Sequence, residues 1–295
     1  VSDVHRSDTY GITDTDETIG RLIQTAREQS QNVRDGFNRT GVRPGDKVVD
    51  VGCGPIGALL DLSDLVGPDG TVVGVDMDSA SLQRARVILD REGRDKVRLV
   101  HANIDADWPD ELISVGLFDA AYSRCFLHHQ PDPASTLRRI ASLVRPGGYI
   151  VAHDPLYVAP LRSEPHLPEI ELAVQWLRKA FLKGGSSPDL AREFHSVCRR
   201  AGLSKVSQRV FCVADPRYAQ AGIRVWQQIL IAVRPAFLRH GVASESDIDG
   251  AIGRLADAEK WEFDAFYLPM WVELVAQVGP PDGRSPSDMS EDRPS

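Results

Sequence analysis

A short apolar run, Val48-Val49-Asp50-Val51, empties into Gly52-Cys53-Gly54-Pro55-Ile56-Gly57, and helical spacing from Ala58 to Val66 follows at once. A strand that turns into a helix through three glycines is the opening unit of an open α/β sheet. The glycines free the turn from Cβ crowding, and the helix start leaves N–H groups without intrahelical partners. The punctuation then repeats. Thr71 to Val75 reads as a second strand running into Asp76, and Leu82, Ala85 and Ile88 mark a helix. Val97 to His101 is a third strand and Phe118 to Ser123 a fourth, followed by a helix marked by Leu137, Ile140 and Leu143. A Pro146-Gly147-Gly148 turn then leads into a fifth strand, Tyr149 to His153. This alternation requires right-handed crossovers and a parallel sheet covered by helices on both faces.

Ahead of the first strand, Ile19, Leu22, Ile23, Ala26, Val33 and Phe37 keep helical spacing behind Thr and Asp residues able to cap a helix, and Gly41 and Pro44-Gly45 close it. Past Asp154 the regular alternation breaks. Ile170, Ala173, Trp176, Leu177, Ala180 and Phe181 predict an added helix, Asp189 to Ala201 another, and Lys205 to Val213 a sixth strand. Helix follows from Tyr218 to Trp261, interrupted near Gly241, with Ser244 and Asp247 spaced as a capping box; Phe266 to Val278 is expected to be the last strand. The expected organisation is an N-terminal helical segment (1–45) over the ligand site and a catalytic domain (46–278). Helical insertions near 160–185 and 218–261 are placed as a lid, and a Pro/Ser/Asp-rich tail (279–295) as disordered.

The chain of 295 residues carries 34 Lys+Arg against 42 Asp+Glu, a formal charge of −8. That balance argues against a broad nucleic-acid or membrane surface, which rewards clustered cations, and leaves small molecules as the expected partners. With no long uncharged apolar run and no basic-then-apolar start, a cytoplasmic protein is expected. The four cysteines, Cys53, Cys125, Cys198 and Cys212, are scattered without C-x-x-C spacing, so neither a disulfide framework nor a metal site is expected.

Two carboxylates give the glycine loop its chemistry. Gly52, Gly54 and Gly57 fit G-x-G-x-x-G, and Asp76 stands near the spacing of a ribose-binding acid, so a nicotinamide dinucleotide enzyme is a competing reading. Asp50 beside the loop would repel a pyrophosphate but suits a ligand carrying an ammonium and a sulfonium. The charge sign favours S-adenosylmethionine.

From about Tyr10 to Val278 the sequence resembles the class I S-adenosylmethionine-dependent methyltransferases of the small-molecule, natural-product type. The resemblance rests on the glycine loop with Asp76, on Phe118-Asp119-Ala120-Ala121-Tyr122-Ser123-Arg124, on Leu127-His128-His129-Gln130-Pro131-Asp132-Pro133, and on Leu143-Val144-Arg145-Pro146-Gly147-Gly148. It implies a Rossmann-like fold with a seven-stranded, mostly parallel sheet and helical lid insertions. It also implies that Asp50, Gly52, Cys53, Gly54 and Gly57 hold the amino-acid part of the cofactor, Asp76 the ribose hydroxyls, and Met77, Asn103 and Ile104 the adenine. Tyr10 and Arg21 are expected near the methionine carboxylate, and Ser123 and Arg124 at the ligand edge of the sheet. Two departures from the family pattern stand out: Pro55-Ile56 lengthens the loop, and Asn103 replaces an acid.

His128, His129 and Asp154 all follow carboxyl ends of strands, where an imidazole near neutral pKa can take a proton from an acceptor; one of the two histidines is expected only to pack or cap. His153 with Asp154 forms a second acid/base candidate. The aromatic residues Trp176, Phe181, Trp226, Trp261, Phe263 and Phe266 are candidates for an apolar acceptor pocket, with core packing as the competing reading. The expected activity is methyl transfer to a small specialised metabolite at oxygen, nitrogen or carbon. A cyclisation or isomerisation on the same fold, a nicotinamide oxidoreductase and a regulatory binding protein stand as alternatives, and a homodimer stays open.

Overall fold

The computed structural model describes residues 16–156, 163–212, 214–267 and 270–279. Helix α1 (Asp16–Phe37) precedes a strand and helix alternation: β1 (Lys47–Val51), α2 (Leu59–Val66), β2 (Thr71–Asp76), α3 (Ser79–Arg91), β3 (Arg98–His101), α4 (Asp110–Ile113) and β4 (Phe118–Arg124). A 3-10 turn (Leu127–His129), α5 (Pro133–Ala141) and β5 (Val144–Pro155) follow. With β7 (Leu203–Phe211), reached through α7 (Leu190–Arg200), and β9 (Trp271–Val278), the long strands form one seven-stranded sheet in the order β3-β2-β1-β4-β5-β9-β7. The pairings β1 with β2, β1 with β4, β2 with β3 and β4 with β5 are parallel. The strand order reverses between β1 and β4, and open α/β sheets take ligands beyond the carboxyl ends at such a point.

Local chemistry explains the boundaries. Val48, Val49, Val73, Ala120, Ala121 and Val151 are shielded from solvent on the central strands, as expected of a sheet covered on both faces. Asp78 caps α3 by accepting from the Ala80 and Ser81 N–H groups, and Asp132 caps α5 in the same way with Pro133 in its first turn.

The sequence-based boundaries need three corrections. Leu143 lies beyond α5, which stops at Ala141. Pro146-Gly147-Gly148 is no turn ahead of a strand but an irregularity inside β5: Phe118 pairs with Val144 and Ala120 with Tyr149, so the intervening residues bulge out of register, with Gly147 at φ +79°. The expected last strand is two. Ala265–Phe266 (β8) pairs antiparallel with Ser163–Glu164 (β6) in a separate small sheet, and only Trp271–Val278 joins the large one.

The chain divides into two compact units. One is built around residues 22–154 and takes in 193–209 and the strand from Glu273; the other is built around 155–192 and 210–272. The second contains α6 (Pro168–Lys183), α8 (Ala219–Arg239), α9 (Glu245–Ala258) and the β6–β8 pair. The Ser244–Asp247 capping box opens α9 as expected. Here the aromatic residues are mostly core: Trp176, Phe181, Trp226 and Phe266 belong to one buried cluster, Phe263 packs against it, and Trp176 meets Phe237 at 6.0 Å between ring centroids. Phe266 crosses the backbone of Gly222 so closely that a Cβ there would lie 2.4 Å from its ring. Of the six, Trp261 is 41% exposed. No helix among the described residues is long and apolar enough to cross a membrane. Tyr10, the first fifteen residues and the tail from Pro280 lie outside the described residues, as does the side chain of Arg21.

Candidate functional site

Asp50, Asp76, Arg124 and Asp154 stand at or near the carboxyl ends of β1, β2, β4 and β5, four strands of one parallel set. The glycine loop is braced by three of them. Asp50 Oδ2 accepts from the Ala58 N–H at 2.9 Å, Asp76 Oδ2 accepts from the Gly54 N–H at 2.8 Å, and Arg124 Nη2 donates to the Gly57 carbonyl at 2.6 Å. Gly57 has φ +48°, and a Cβ on it would sit 2.3 Å from Asp50 Oδ2, so only glycine lets the loop close on the carboxylate. The Gly52 and Cys53 N–H groups are spent on the Val75 carbonyl at 2.8 and 3.1 Å. Cys53 is buried and its sulfur packs over Gly74, which makes its side chain a filler of the loop.

The loop leaves selected polar atoms open. Asp50 Oδ1, Ser123 Oγ and Arg124 Nη1 are buried without a hydrogen-bond partner among the described residues. Buried polar atoms are ordinarily satisfied, so a carboxylate acceptor, a hydroxyl able to donate or accept and a guanidinium donor on neighbouring strands are what a zwitterionic ligand group would complete. Burial pushes Asp50 up to about 7, ahead of the lowering by the Ala58 N–H and Arg124. A cationic ligand would restore its charge.

Asp76 accepts from the Asp78 N–H at 2.9 Å with Oδ1, while Asp78 itself does the helix capping, so Asp76 is not the cap. Burial raises the Asp76 pKa against the pull of those N–H groups. Met77 is 41% exposed beside it, and its carbonyl pairs with His101 Nε2 at 2.8 Å. Asn103 Oδ1 accepts from the Asp105 N–H at 3.0 Å and keeps a second lone pair, and Ile104 is buried. A cleft of about 160 Å³ lies between α1 and the loop, lined by Ile23, Ala26, Arg27, Ser30, Ile56 and Gly57 among others.

The three expected acid/base residues lie together. His128 Nδ1 lies 2.5 Å from Asp154 Oδ1, and both are buried. Asp154 also draws on the backbone N–H groups of Phe126, Leu127 and His128, while its Oδ2 has no partner among the described residues. Burial pushes Asp154 up to about 8 and His128 down to about 3, so the pair holds one titratable proton across neutral pH. The His129 ring lies tilted by 43° against that of His128 with centroids 3.7 Å apart, and burial with the neighbouring His128 holds it well below the usual range.

His153 does not join Asp154. Successive strand residues face opposite sides of a sheet, and His153 turns to Tyr122, whose hydroxyl is 2.8 Å from Nδ1, and to Glu273, whose Oε2 is 3.0 Å from Nε2. Arg39 and Arg209 pair with the same fully buried Glu273. The expected His153 acid/base role gives way to a framework role, with burial holding its ring neutral at about 3. Sequence reasoning missed this network and Phe126, whose ring rests on Gly52. A lone acid inside the apolar run Trp271–Val278 was a signal for the first, because a carboxylate buried in a strand needs cations or donors; nothing in the spacing marks Phe126.

Residues 43–186 match the family model of a methyltransferase domain. The chain is similar to a ubiquinone biosynthesis O-methyltransferase of Aromatoleum aromaticum, 35% identical over 116 residues, covering 39% of this chain and 47% of that protein. It is similar to a demethylmenaquinone methyltransferase of Lactococcus lactis, 28% identical over 186 residues, covering 58% of this chain and 70% of the other. Among solved structures, phosphoethanolamine N-methyltransferase 2 of Haemonchus contortus in complex with S-adenosyl-L-methionine aligns with a TM-score of 0.51 at 15% identity, over 86% of this chain and 53% of that one. The chain spans between about a third and a half of the length of the first three curated relatives it matches.

Proposed function

We propose that the chain is a class I enzyme that moves a methyl group from S-adenosylmethionine to a small specialised-metabolite acceptor, a reading supported by the methyltransferase-domain match over residues 43–186. The observation that carries this reading is the buried His128–Asp154 pair standing at the same sheet edge as the glycine loop and its open polar atoms.

Asp50, Ser123 and Arg124 offer the partners an amino-acid group needs, with Gly52, Cys53, Gly54 and Gly57 shaping the loop. Asp76 is the acid for two ribose hydroxyls, and Met77, Asn103 and Ile104 flank the adenine. Tyr10 and Arg21 remain assigned to the methionine carboxylate. When bound, the cofactor supplies an electrophilic methyl on a sulfonium. The chain's own work is to align the acceptor for an in-line attack and to receive its proton.

Asp154 orients the His128 ring through Nδ1, and the opposite ring nitrogen, Nε2, is assigned to take the acceptor's proton. In its base form the pair is a neutral imidazole donating Nδ1–H to an ionised Asp154, and after proton uptake the carboxylate balances the imidazolium. His129 packs against His128 and holds its ring plane. The helices of residues 160–185 and 218–261 are assigned to the acceptor's cover, and a cytoplasmic, soluble enzyme fits an acidic chain.

The test is incubation with S-adenosylmethionine and a panel of small phenols, hydroquinones and amines, reading S-adenosylhomocysteine. The panel starts with phenols because two similar proteins are quinone-pathway methyltransferases by name. S-adenosylhomocysteine formed in step with a methylated acceptor supports the reading. Tight NADH binding with no binding of S-adenosylmethionine overturns it, and substrate conversion without S-adenosylhomocysteine points to cyclisation or isomerisation instead.

A further inference from the structure

Phe126 plays no part in the assignments above, yet its ring covers the first glycine of the loop. A Cβ built on Gly52 would meet Phe126 Cδ2 at 2.3 Å and Cγ at 2.7 Å, so the ring lies on the bare α-carbon of that residue. The ring is half-buried. Its backbone leads the turn that carries His128: the Phe126 carbonyl accepts from the His129 N–H at 3.2 Å and from Gln130 Nε2 at 3.3 Å, and its N–H faces the Asp154 carboxylate. One residue therefore touches the glycine loop with its ring and Asp154 with its backbone, at the carboxyl edge of the sheet.

An aromatic ring suits that place for a chemical reason. The face of a benzene ring is the negative part of its quadrupole and attracts a cation without being a nucleophile. A carboxylate beside a sulfonium would also attract it, but it is itself a methyl acceptor and is costly to desolvate. Resting on the methyltransferase reading, we propose that Phe126 presents its ring to the cationic sulfonium and makes the site prefer the charged methyl donor over its neutral product, S-adenosylhomocysteine. The two ligands differ in one methyl and one positive charge, so a preference between them has to come from groups near the sulfur.

The experiment is calorimetric titration of the wild-type chain, Phe126→Leu, Phe126→Met and Phe126→Tyr with S-adenosylmethionine and with S-adenosylhomocysteine. The expected result is a loss of S-adenosylmethionine affinity of about 3- to 30-fold in the Leu and Met variants, the range of a partly desolvated cation–π contact. S-adenosylhomocysteine affinity changes less than about twofold and the Tyr variant stays near wild type, since tyrosine keeps the ring. Equal losses for both ligands identify the ring as packing only and overturn the inference, as does an unchanged ratio. Melting curves identify a misfolded variant, and Leu and Met differ enough in shape for one to report if the other fails. A wild-type chain that binds neither ligand overturns the functional reading itself; one that binds both, with a ratio insensitive to residue 126, overturns only the role of Phe126.

Discussion

His128 Nδ1 and Asp154 Oδ1 stand 2.5 Å apart in the interior of the sheet edge, brought together from a 3-10 turn and from the end of β5. Both side chains are buried and in direct contact, so the two groups titrate as a unit.

Removing the imidazole removes the base. Turnover of His128→Ala at saturating cofactor is expected to fall about 100- to 10,000-fold, the usual worth of general acid–base catalysis, with cofactor affinity nearly unchanged. Asp154→Asn keeps the size but changes the tautomer, and is expected to fall within the same range. Steady-state kinetics of both variants, with His129→Ala beside them, is the measurement; wild-type rates in His128→Ala and Asp154→Asn would eliminate the base.

The pH dependence of rate and of stability should run in opposite directions. Asp154, pushed up to about 8, keeps a proton on the pair that must leave before His128 can act, so turnover is expected to rise about tenfold from pH 7 to 9. For stability the folded chain holds protons on Asp154 and on Asp50, raised to about 7, that the unfolded chain has released above about 4. Their stabilisation is complete at low pH and is lost as pH rises through those folded values. His128 and His153, lowered to about 3, act in the opposite sense only up to the ordinary histidine value of about 6.5. The melting temperature should therefore fall between about pH 6.5 and 8.5. A melting temperature that climbs across that window would contradict the burial of the two carboxylates.

Asp76 serves a ligand and a loop at once. Loss of charge-assisted bonds to hydroxyls in Asp76→Ala is expected to weaken S-adenosylmethionine binding by about 1.5–3 kcal/mol. The Gly54 N–H loses its acceptor in the same variant, so the melting temperature of the free chain should drop too. Calorimetry and thermal melts separate the two effects; unchanged affinity would move the ribose elsewhere.

The other buried histidine should behave differently. His153→Ala leaves the Tyr122 hydroxyl and a Glu273 oxygen without their shared partner and opens a cavity, at an expected cost of about 2–4 kcal/mol. Melting should shift down by about 5–15 °C, while kcat measured well below the transition stays within about threefold of wild type. A large loss of kcat in a folded His153→Ala protein would place His153 in the chemistry.

Most of the framework was legible because it follows from periodicity. Alternating apolar runs and glycine punctuation located the five leading strands, and Ser244 with Asp247 announced α9, since capping is a matter of a few consecutive residues. Pairing distant residues was harder. The distance between His128 and Asp154 is set by the neighbouring places of β4 and β5 in the sheet, and Glu273 reaches His153 because β9 inserts beside β5 rather than adding at the edge. The Val-rich and aromatic residues of 265–278 hid a break into two strands, because an apolar run does not say which sheet it joins. The aromatic residues of 170–266 are the clearest case: helical spacing says that Trp176 and Trp226 face inward, but only the packing of α6 on α8 shows that inward means a core.

His153 and Asp154 are consecutive in sequence and belong to separate systems, one tied to Tyr122 and Glu273, the other to His128. Since side chains on a strand alternate, inserting or deleting a single residue between Tyr149 and His153 would turn both side chains to the opposite face of the sheet. An insertion would put the histidine at the place Asp154 holds, and a deletion would put the carboxylate at the place His153 holds beside Glu273. The spacing of this segment is thus under a stricter constraint than the identity of any apolar residue within it. Length variation along β5 should be the rarest change that a working version of this chain can tolerate.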